Sequence, residues 1–122
     1  MKTYRGSCHC GRITFEVEAD ITSVADCNCS MCFRKGMLYC DVPPDRFRLL
    51  SGRDDLSMYC FKVAKHYFCK HCGCHPFSRP RSNPEGWGIN VRCLEGFEFS
   101  KVEILPFDGQ NWEQANRTFR YR

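Results

Sequence analysis

The chain has 122 residues and a formal net charge of +4, and 43% of its residues are hydrophobic. This length suits one domain, residues 1–122, which can bury a core without crosslinks. No apolar run approaches the roughly 20 residues that cross a bilayer. Residues 1–6 lack the apolar region of a secretory signal, so we expect a cytoplasmic protein without a membrane partner. The basic residues are scattered, which argues against nucleic acid as a partner.

Two cysteines stand close together near the N-terminus, ahead of the first predicted strand. One residue separates Cys8 from Cys10, so on an extended backbone both side chains point to the same side. Residues 12–18 then alternate between polar and apolar, which is the period of a half-buried strand. This pair can supply two ligands to a metal ion and needs two more from elsewhere in the chain.

Three further cysteines follow within six residues, at Cys27, Cys29 and Cys32. So many thiols in so short a stretch are not explained by packing. A structural zinc ion takes four protein ligands, whereas a catalytic zinc ion takes three and keeps one position open. The triplet therefore raises the question of whether a fourth residue or a substrate completes this site.

The middle of the chain predicts short strands rather than helices. Residues 37–42, 46–50 and 56–61 are rich in strand-forming residues and are separated by proline and glycine, as short strands are. No segment carries a clear apolar stripe of period 3.6, so we expect at most one short helix, near residues 31–35 or 110–116. Several short strands with turns between them predict an all-β sheet or barrel.

A third group of cysteines begins at Cys69, which is followed by Cys72, Gly73 and Cys74. The spacing of Cys69 and Cys72 is that of a chelating turn. The glycine after the second thiol lets the backbone turn beneath a metal ion, so that amides can donate to the sulfurs.

Two more strands are predicted in the last third of the chain. Residues 87–94 alternate so that Asn90 and Arg92 share one face and the apolar residues share the other. Residues 97–105 alternate less regularly and are expected to form a closing strand.

Eight of the eleven cysteines fall in these three groups, which indicates metal ligands because disulfides are rare in the cytosol. One arrangement is a zinc ribbon that joins the last two thiols of the triplet to the CxxC pair and leaves three cysteines unused. The other leaves the triplet with an open position and closes a four-sulfur site from Cys8, Cys10, Cys69 and Cys72. Spacing favours the second arrangement, because it uses seven thiols.

The order of the motifs resembles a known family. The chain carries CxCG at residues 8–11, CxCSxC at residues 27–32, CxxCG at residues 69–73 and NVRCL at residues 90–94. This combination resembles the glutathione-dependent formaldehyde-activating enzymes, a family that also includes centromere protein V. The resemblance runs from residue 6 to about residue 94, roughly three-quarters of the chain.

The resemblance implies a small β-sandwich of the Mss4 type, with zinc knuckles and two zinc ions per chain. It implies that the structural zinc ion is held by Cys8, Cys10, Cys69 and Cys72. It implies a catalytic zinc ion on Cys27, Cys29 and Cys32, and glutathione as co-substrate. The activity implied is that of a carbon–sulfur lyase acting on a thiol adduct of a small aldehyde. Thiolate ligands also suit iron.

The motifs do not assign a role to several further residues. Cys74 can move in as a fourth ligand of the second site. We expect Arg92 to hold a carboxylate of glutathione, and His75 to be either a proton carrier or a hydrogen-bonded structural residue. The remaining thiols are interpreted most simply as small buried apolar residues; they are Cys40, Cys60 and Cys93.

Two other functions fit the same cysteine pattern. The protein could be a non-catalytic, zinc-stabilised module that binds protein or nucleic acid, and a fourth protein ligand at the triplet would favour that function. It could also sense thiol redox state or buffer metal through its additional cysteines.

Overall fold

The structure of the protein is a computed structural model that describes residues 1–122 and consists mainly of ten short strands. The strands are β1 Lys2–Ser7, β2 Thr14–Ala19, β3 Ser23–Cys27, β4 Leu38–Val42, β5 Phe47–Ser51, β6 Leu56–Phe61, β7 Ala64–Cys69, β8 Phe77–Arg79, β9 Trp87–Asn90 and β10 Glu103–Phe107. The two α-helices are α1 Ser30–Lys35 and α2 Trp112–Thr118. The mostly β fold predicted from the sequence is confirmed.

The strands form two sheets. One has three strands in the order β1-β2-β5, and the other has seven in the order β10-β3-β4-β9-β8-β7-β6. Every pairing is antiparallel except that of β10 with β3, which is parallel and places Phe107 beside Cys27. The last strand therefore runs alongside the strand that leads into the cysteine triplet, which brings the C-terminal segment to that site.

The core lies where the two sheets face each other. Along β2, Phe15 and Val17 are fully buried while Glu16 between them is not, because alternate side chains of a strand point to opposite faces. Phe15 meets Phe77 of β8 edge to face, with ring centres 5.5 Å apart. Phe47 stacks on Trp87 with ring centres 4.4 Å apart. These aromatic contacts hold the small sheet against the large one.

The central strands follow the sequence-based predictions closely, but the helices do not. Residues 37–42, 46–50 and 56–61 correspond to β4, β5 and β6. The expectation of at most one helix was wrong, because helices form near both of the proposed positions. With six and seven residues, each is too short to display a helical apolar stripe. Neither is long and apolar enough to cross a membrane.

The two strands predicted in the last third are shorter than the alternation suggested. The strand predicted over residues 87–94 ends at Asn90, because the Asn90 side chain accepts a hydrogen bond from the Arg92 amide at 3.1 Å and begins a tight turn. Arg92 is therefore not on a strand face. In the segment 97–105, residues Phe99–Lys101 form another tight turn, and the strand begins only at Glu103.

Candidate metal centres and the adjoining cavity

Four thiols from two distant turns meet in the first cluster. Cys8 and Cys10 follow β1, Cys69 ends β7, and Cys72 lies in the next turn; their sulfurs all lie within 4.8 Å of one another. The Cys10 Sγ is 3.6 Å from the Sγ of Cys8 and 3.6 Å from the Sγ of Cys69. With Zn–S bonds of about 2.3 Å, sulfurs in a tetrahedron lie about 3.8 Å apart. The cluster thus fits a tetrahedral ion.

Backbone amides point at the sulfurs of this cluster. The Ile13 amide donates to the Cys8 Sγ at 3.4 Å, and the His71 amide donates to the Cys69 Sγ at 3.4 Å. Gly73 has a φ of 74°, a left-handed conformation that suits glycine, and its amide donates to the Cys69 carbonyl at 2.9 Å. Such donors stabilise negative charge on sulfur and orient the ligands.

The second cluster contains the triplet and is built on one strand end and one helix start. Cys27 is the last residue of β3, Cys29 caps α1, and Cys32 lies in the first turn of that helix. The Cys29 Sγ accepts a hydrogen bond from the Cys32 amide at 3.3 Å, and the Cys29 amide donates to the Cys27 Sγ at 3.4 Å. The three sulfurs lie within 4.8 Å of one another, so this set can hold a metal ion as well.

Without a metal ion, one thiol of this cluster is already disposed to carry charge. A hydrogen bond from the Cys32 thiol lowers the pKa of Cys27 to about 6, and the Cys29 amide adds to the effect. The same interaction raises the pKa of Cys32. At pH 7, which is above the pKa of Cys27, that thiol is therefore largely a thiolate, the form that binds metal.

No protein side chain completes the second cluster. No further His, Cys, Asp or Glu atom joins the three sulfurs. Cys74, the candidate for a fourth ligand, lies elsewhere: its Sγ is 3.6 Å from the Sγ of Cys93, and its carbonyl accepts from the Cys69 amide at 2.9 Å. Cys74 therefore belongs to the surroundings of the first cluster.

Gly109 packs against the second cluster, a contact that the sequence did not predict. A Cβ at this position would clash with the Cys27 Sγ and would lie 2.9 Å from the Cys29 Cβ. Asn28 holds the loop in place, because its Nδ2 donates to the Asp108 Oδ1 at 2.9 Å and its Oδ1 accepts from the Gln110 amide at 3.1 Å. Nothing in the local sequence indicates this contact, because the two segments lie far apart in the chain.

We expect Gly109→Ala to weaken metal binding at the second cluster about 10- to 100-fold, the range seen when the surroundings of metal ligands are altered. The added methyl group has no room beside the Cys27 sulfur, so the loop or the cysteine must move. Competition with a chelator, followed by metal analysis, measures the change. The first cluster is the internal control and should keep its ion. Equal loss from both clusters would contradict a local effect.

A cavity of about 310 Å³ lies directly beside the second cluster, at the lower end of the sizes found for small-molecule sites. All three thiols line it. Its apolar wall includes Tyr39, Phe107 and Trp112, and its polar lining includes His66, Ser78 and Ser82. A more open groove of about 600 Å³ runs between β10 and α2 and has no thiol in its lining. The first of these cavities is where a ligand of the second cluster can enter.

Two cations, Arg81 and Lys62, line the cavity beside the triplet. The Arg81 guanidinium stacks 3.9 Å from the centre of the Trp112 ring and lies 3.8 Å from the Glu113 carboxylate. Arg92 is not among the lining residues; its guanidinium lies 5.2 Å from the centre of the Phe99 ring. The structure therefore brings the predicted thiols together, and it places two other cations beside them instead of Arg92.

Known proteins resemble this chain in both sequence and structure. The sequence model of a family described as glutathione-dependent formaldehyde-activating enzyme matches residues 3–107. The chain is also similar to a Rhodobacter sphaeroides protein, a structural genomics target whose crystal structure is known. The two are 35% identical with a TM-score of 0.74, and the similarity covers 83% of this chain and 99% of that chain. The family match includes every thiol of both clusters and ends two residues before Gly109.

Proposed function

Because the chain belongs to the family of glutathione-dependent formaldehyde-activating enzymes, we propose that it is a carbon–sulfur lyase with two zinc ions. In this proposal it forms and cleaves the bond between the thiol of glutathione, or of a similar thiol, and a small aldehyde. Cys8, Cys10, Cys69 and Cys72 hold a structural ion. Cys27, Cys29 and Cys32 hold the catalytic one.

The observation that carries this proposal is the triplet of thiols that faces a cavity without a fourth protein ligand. A zinc ion on these three residues would keep one ligand position free, and it would supply the acidity that converts a substrate thiol to its nucleophilic form. Three sulfurs within 4.8 Å, with amides donating to two of them, form a set of ligands that needs little rearrangement to accept the ion.

The remaining residues of the cavity suit an anionic peptide thiol. Arg81 and Lys62 offer positive charge, which the carboxylates of glutathione need. Trp112 and Phe107 form apolar walls and keep water from the reacting sulfur. Seven of the eleven cysteines hold zinc in this proposal, and none is in a disulfide. A reducing compartment such as the cytoplasm suits such thiols, and we place the protein there.

The experiment that tests this function combines metal analysis with a direct assay. The protein is prepared with zinc and its metal content is measured; we expect two ions per chain. Formation of S-hydroxymethylglutathione from glutathione and formaldehyde is then followed by NMR exchange spectroscopy against the spontaneous rate. A chain with two ions that gives no acceleration with formaldehyde or other small aldehydes would reject the lyase proposal and leave a zinc-stabilised scaffold.

We expect Arg81→Gln to raise the KM for glutathione about tenfold with little change in kcat. A charge-assisted hydrogen bond contributes about 1.5–3 kcal/mol, and 1.4 kcal/mol corresponds to a factor of ten. A contact remote from the reacting atoms acts equally on the ground state and the transition state, so KM changes and kcat does not.

The matched variant is Arg92→Gln, which removes an arginine that also lies beside an aromatic ring but does not line the cavity. Steady-state kinetics of both variants decide between the two arginines. A raised KM for Arg92→Gln, together with an unchanged KM for Arg81→Gln, would restore the assignment made from the sequence.

A further inference from the structure

Two thiols that belong to neither cluster lie side by side. The Sγ of Cys74 is 3.6 Å from the Sγ of Cys93, although the two residues are 19 positions apart in the chain. Neither is a member of the four-thiol set or of the triplet, and the proposed chemistry gives them no role. The close approach of two nucleophilic side chains therefore calls for an explanation of its own.

A shared metal ion does not explain this pair. No third His, Cys, Asp or Glu atom groups with the two sulfurs, whereas a zinc site takes at least three protein ligands. Neighbouring thiols without an ion between them have a different chemistry, which is two-electron oxidation to a disulfide. A disulfide bond is about 2.05 Å long, so the two sulfurs need to approach by about 1.5 Å to form one.

The backbone holds the two thiols next to each other. The Asn90 amide donates to the Pro76 carbonyl at 3.0 Å, and the Asn90 Nδ2 donates to the His75 carbonyl at 2.8 Å. Cys74 directly precedes these two acceptors, and Cys93 follows the donor within the same tight turn. The approach of the thiols is therefore built into the fold and does not depend on a bound ion.

The pair also lies between the two halves of the first cluster. Cys74 follows the ligand Cys72 by two residues. Leu94, the residue after the second thiol of the pair, forms a bridge with Gly6 of β1, and Gly6 precedes the ligand Cys8 by two residues. A bond between the two thiols would therefore tie the turn that carries one half of the cluster to the strand that leads into the other half.

We propose that Cys74 and Cys93 form a reversible disulfide when they react with a hydroperoxide, and that this bond braces the four-thiol cluster against loss of its ion. In a reducing compartment such bonds form transiently and serve redox responses. The inference concerns residues that take no part in the proposed lyase reaction, so the two proposals can fail separately.

The oxidation balances with hydrogen peroxide as the oxidant. One sulfur attacks a peroxide oxygen, the oxygen–oxygen bond breaks, a sulfur–oxygen bond forms, and water leaves behind a sulfenic acid. The second sulfur then displaces the hydroxyl group, which takes the remaining thiol proton and leaves as water. Each sulfur loses one electron and the peroxide gains two. Two molecules of a monothiol such as glutathione reverse the step by thiol–disulfide exchange.

Exposure and charge indicate how the two sulfurs share this reaction. Both residues are half-buried, so a small peroxide can reach them. Burial, followed by the charge of Cys74, raises the pKa of Cys93. Cys93 therefore remains a thiol at pH 7, which assigns the first attack on the peroxide to Cys74 and the displacement of the hydroxyl group to Cys93.

Peptide mapping of the wild-type protein tests whether the bond forms. The zinc-loaded protein is treated with hydrogen peroxide, its remaining thiols are blocked with a maleimide under denaturing conditions, and its peptides are identified by mass spectrometry. We expect peptides joined through Cys74 and Cys93 before any thiol of the clusters is oxidised, and dithiothreitol should separate them. The control Cys60→Ser should form the same bond. Oxidation of cluster thiols while Cys74 and Cys93 stay free would overturn the proposal.

Metal release and thermal unfolding test whether the bond braces the cluster. Oxidised wild-type protein should lose the ion of the first cluster to a chelator more slowly than reduced protein. Its Tm should be about 10 °C higher, because the bond closes a loop of about 20 residues and restricts the unfolded chain. Peroxide should have neither effect on Cys93→Ser. Equal release from oxidised and reduced wild type, a comparison that needs no variant, would overturn the bracing role, and so would equal protection of Cys93→Ser.

Discussion

Replacing Cys29 with serine is expected to release one of the two metal ions per chain and to lower the rate of adduct formation by at least about 100-fold. Changes around metal ligands already cost 10- to 100-fold, and this change removes a ligand itself. Cys29 also caps α1 and accepts the Cys32 amide, so the substitution disturbs two of the three ligands. Metal analysis and the NMR assay measure the two effects on the same sample.

The matched variant for this prediction is Cys60→Ser. This thiol is exposed, not buried as the sequence suggested, and it belongs to neither cluster. It should keep two ions and full activity. If Cys29→Ser retained both ions and its activity, the triplet would not be the reacting site. If it lost an ion without a loss of activity, the second metal ion would be structural or incidental.

A change in the first cluster should affect the whole fold. Cys72→Ala is expected to reduce the free energy of unfolding by about 5 kcal/mol or more and to lower the Tm by about 20 °C. This cluster joins the turn after β1, in the small sheet, to the turn after β7, in the large one. Without the ion, the two sheets lose this link and depend more on the aromatic contacts between them. Thermal unfolding followed by circular dichroism measures the shift.

Cys74→Ala is the control for that measurement, because Cys74 lies two residues further along and is not part of the four-thiol set. A half-buried cysteine replaced by alanine should cost about 1 kcal/mol. Equal destabilisation by the two variants would mean that packing, rather than metal binding, explains the loss. A Tm of Cys72→Ala close to that of the wild type would mean that this cluster does not stabilise the fold.

The parts of the structure that could be predicted from sequence are those set by local geometry. A spacing of one or two residues between cysteines limits where their sulfurs can point, so the motifs alone identified the candidate ligands. The resemblance then supported the partition that the structure displays. The strands β4, β5 and β6 were found because each has strand-forming residues between clear turn signals.

The parts that could not be predicted depend on contacts between distant segments. The parallel pairing of β10 with β3 leaves no local signal in the sequence. Gly109, which follows β10, and Arg81 approach the triplet through contacts of this kind between distant segments. The strand predicted over residues 87–94 ends early for a different reason. The Asn90 side chain bonds to the backbone and competes with the strand ladder, which an alternation pattern does not reveal.

The parallel strand β10 has a consequence for how substrate preference can change in this family. The thiols of the second cluster come from residues 27–32, whereas part of the wall around them is supplied by Gly109, Gln110 and Trp112, which follow β10 and lie beyond the family match. If the proposed function holds, selectivity can therefore change through substitutions in the segment after β10 while the three thiols stay the same. Relatives with identical thiols and divergent tails should then accept different aldehydes.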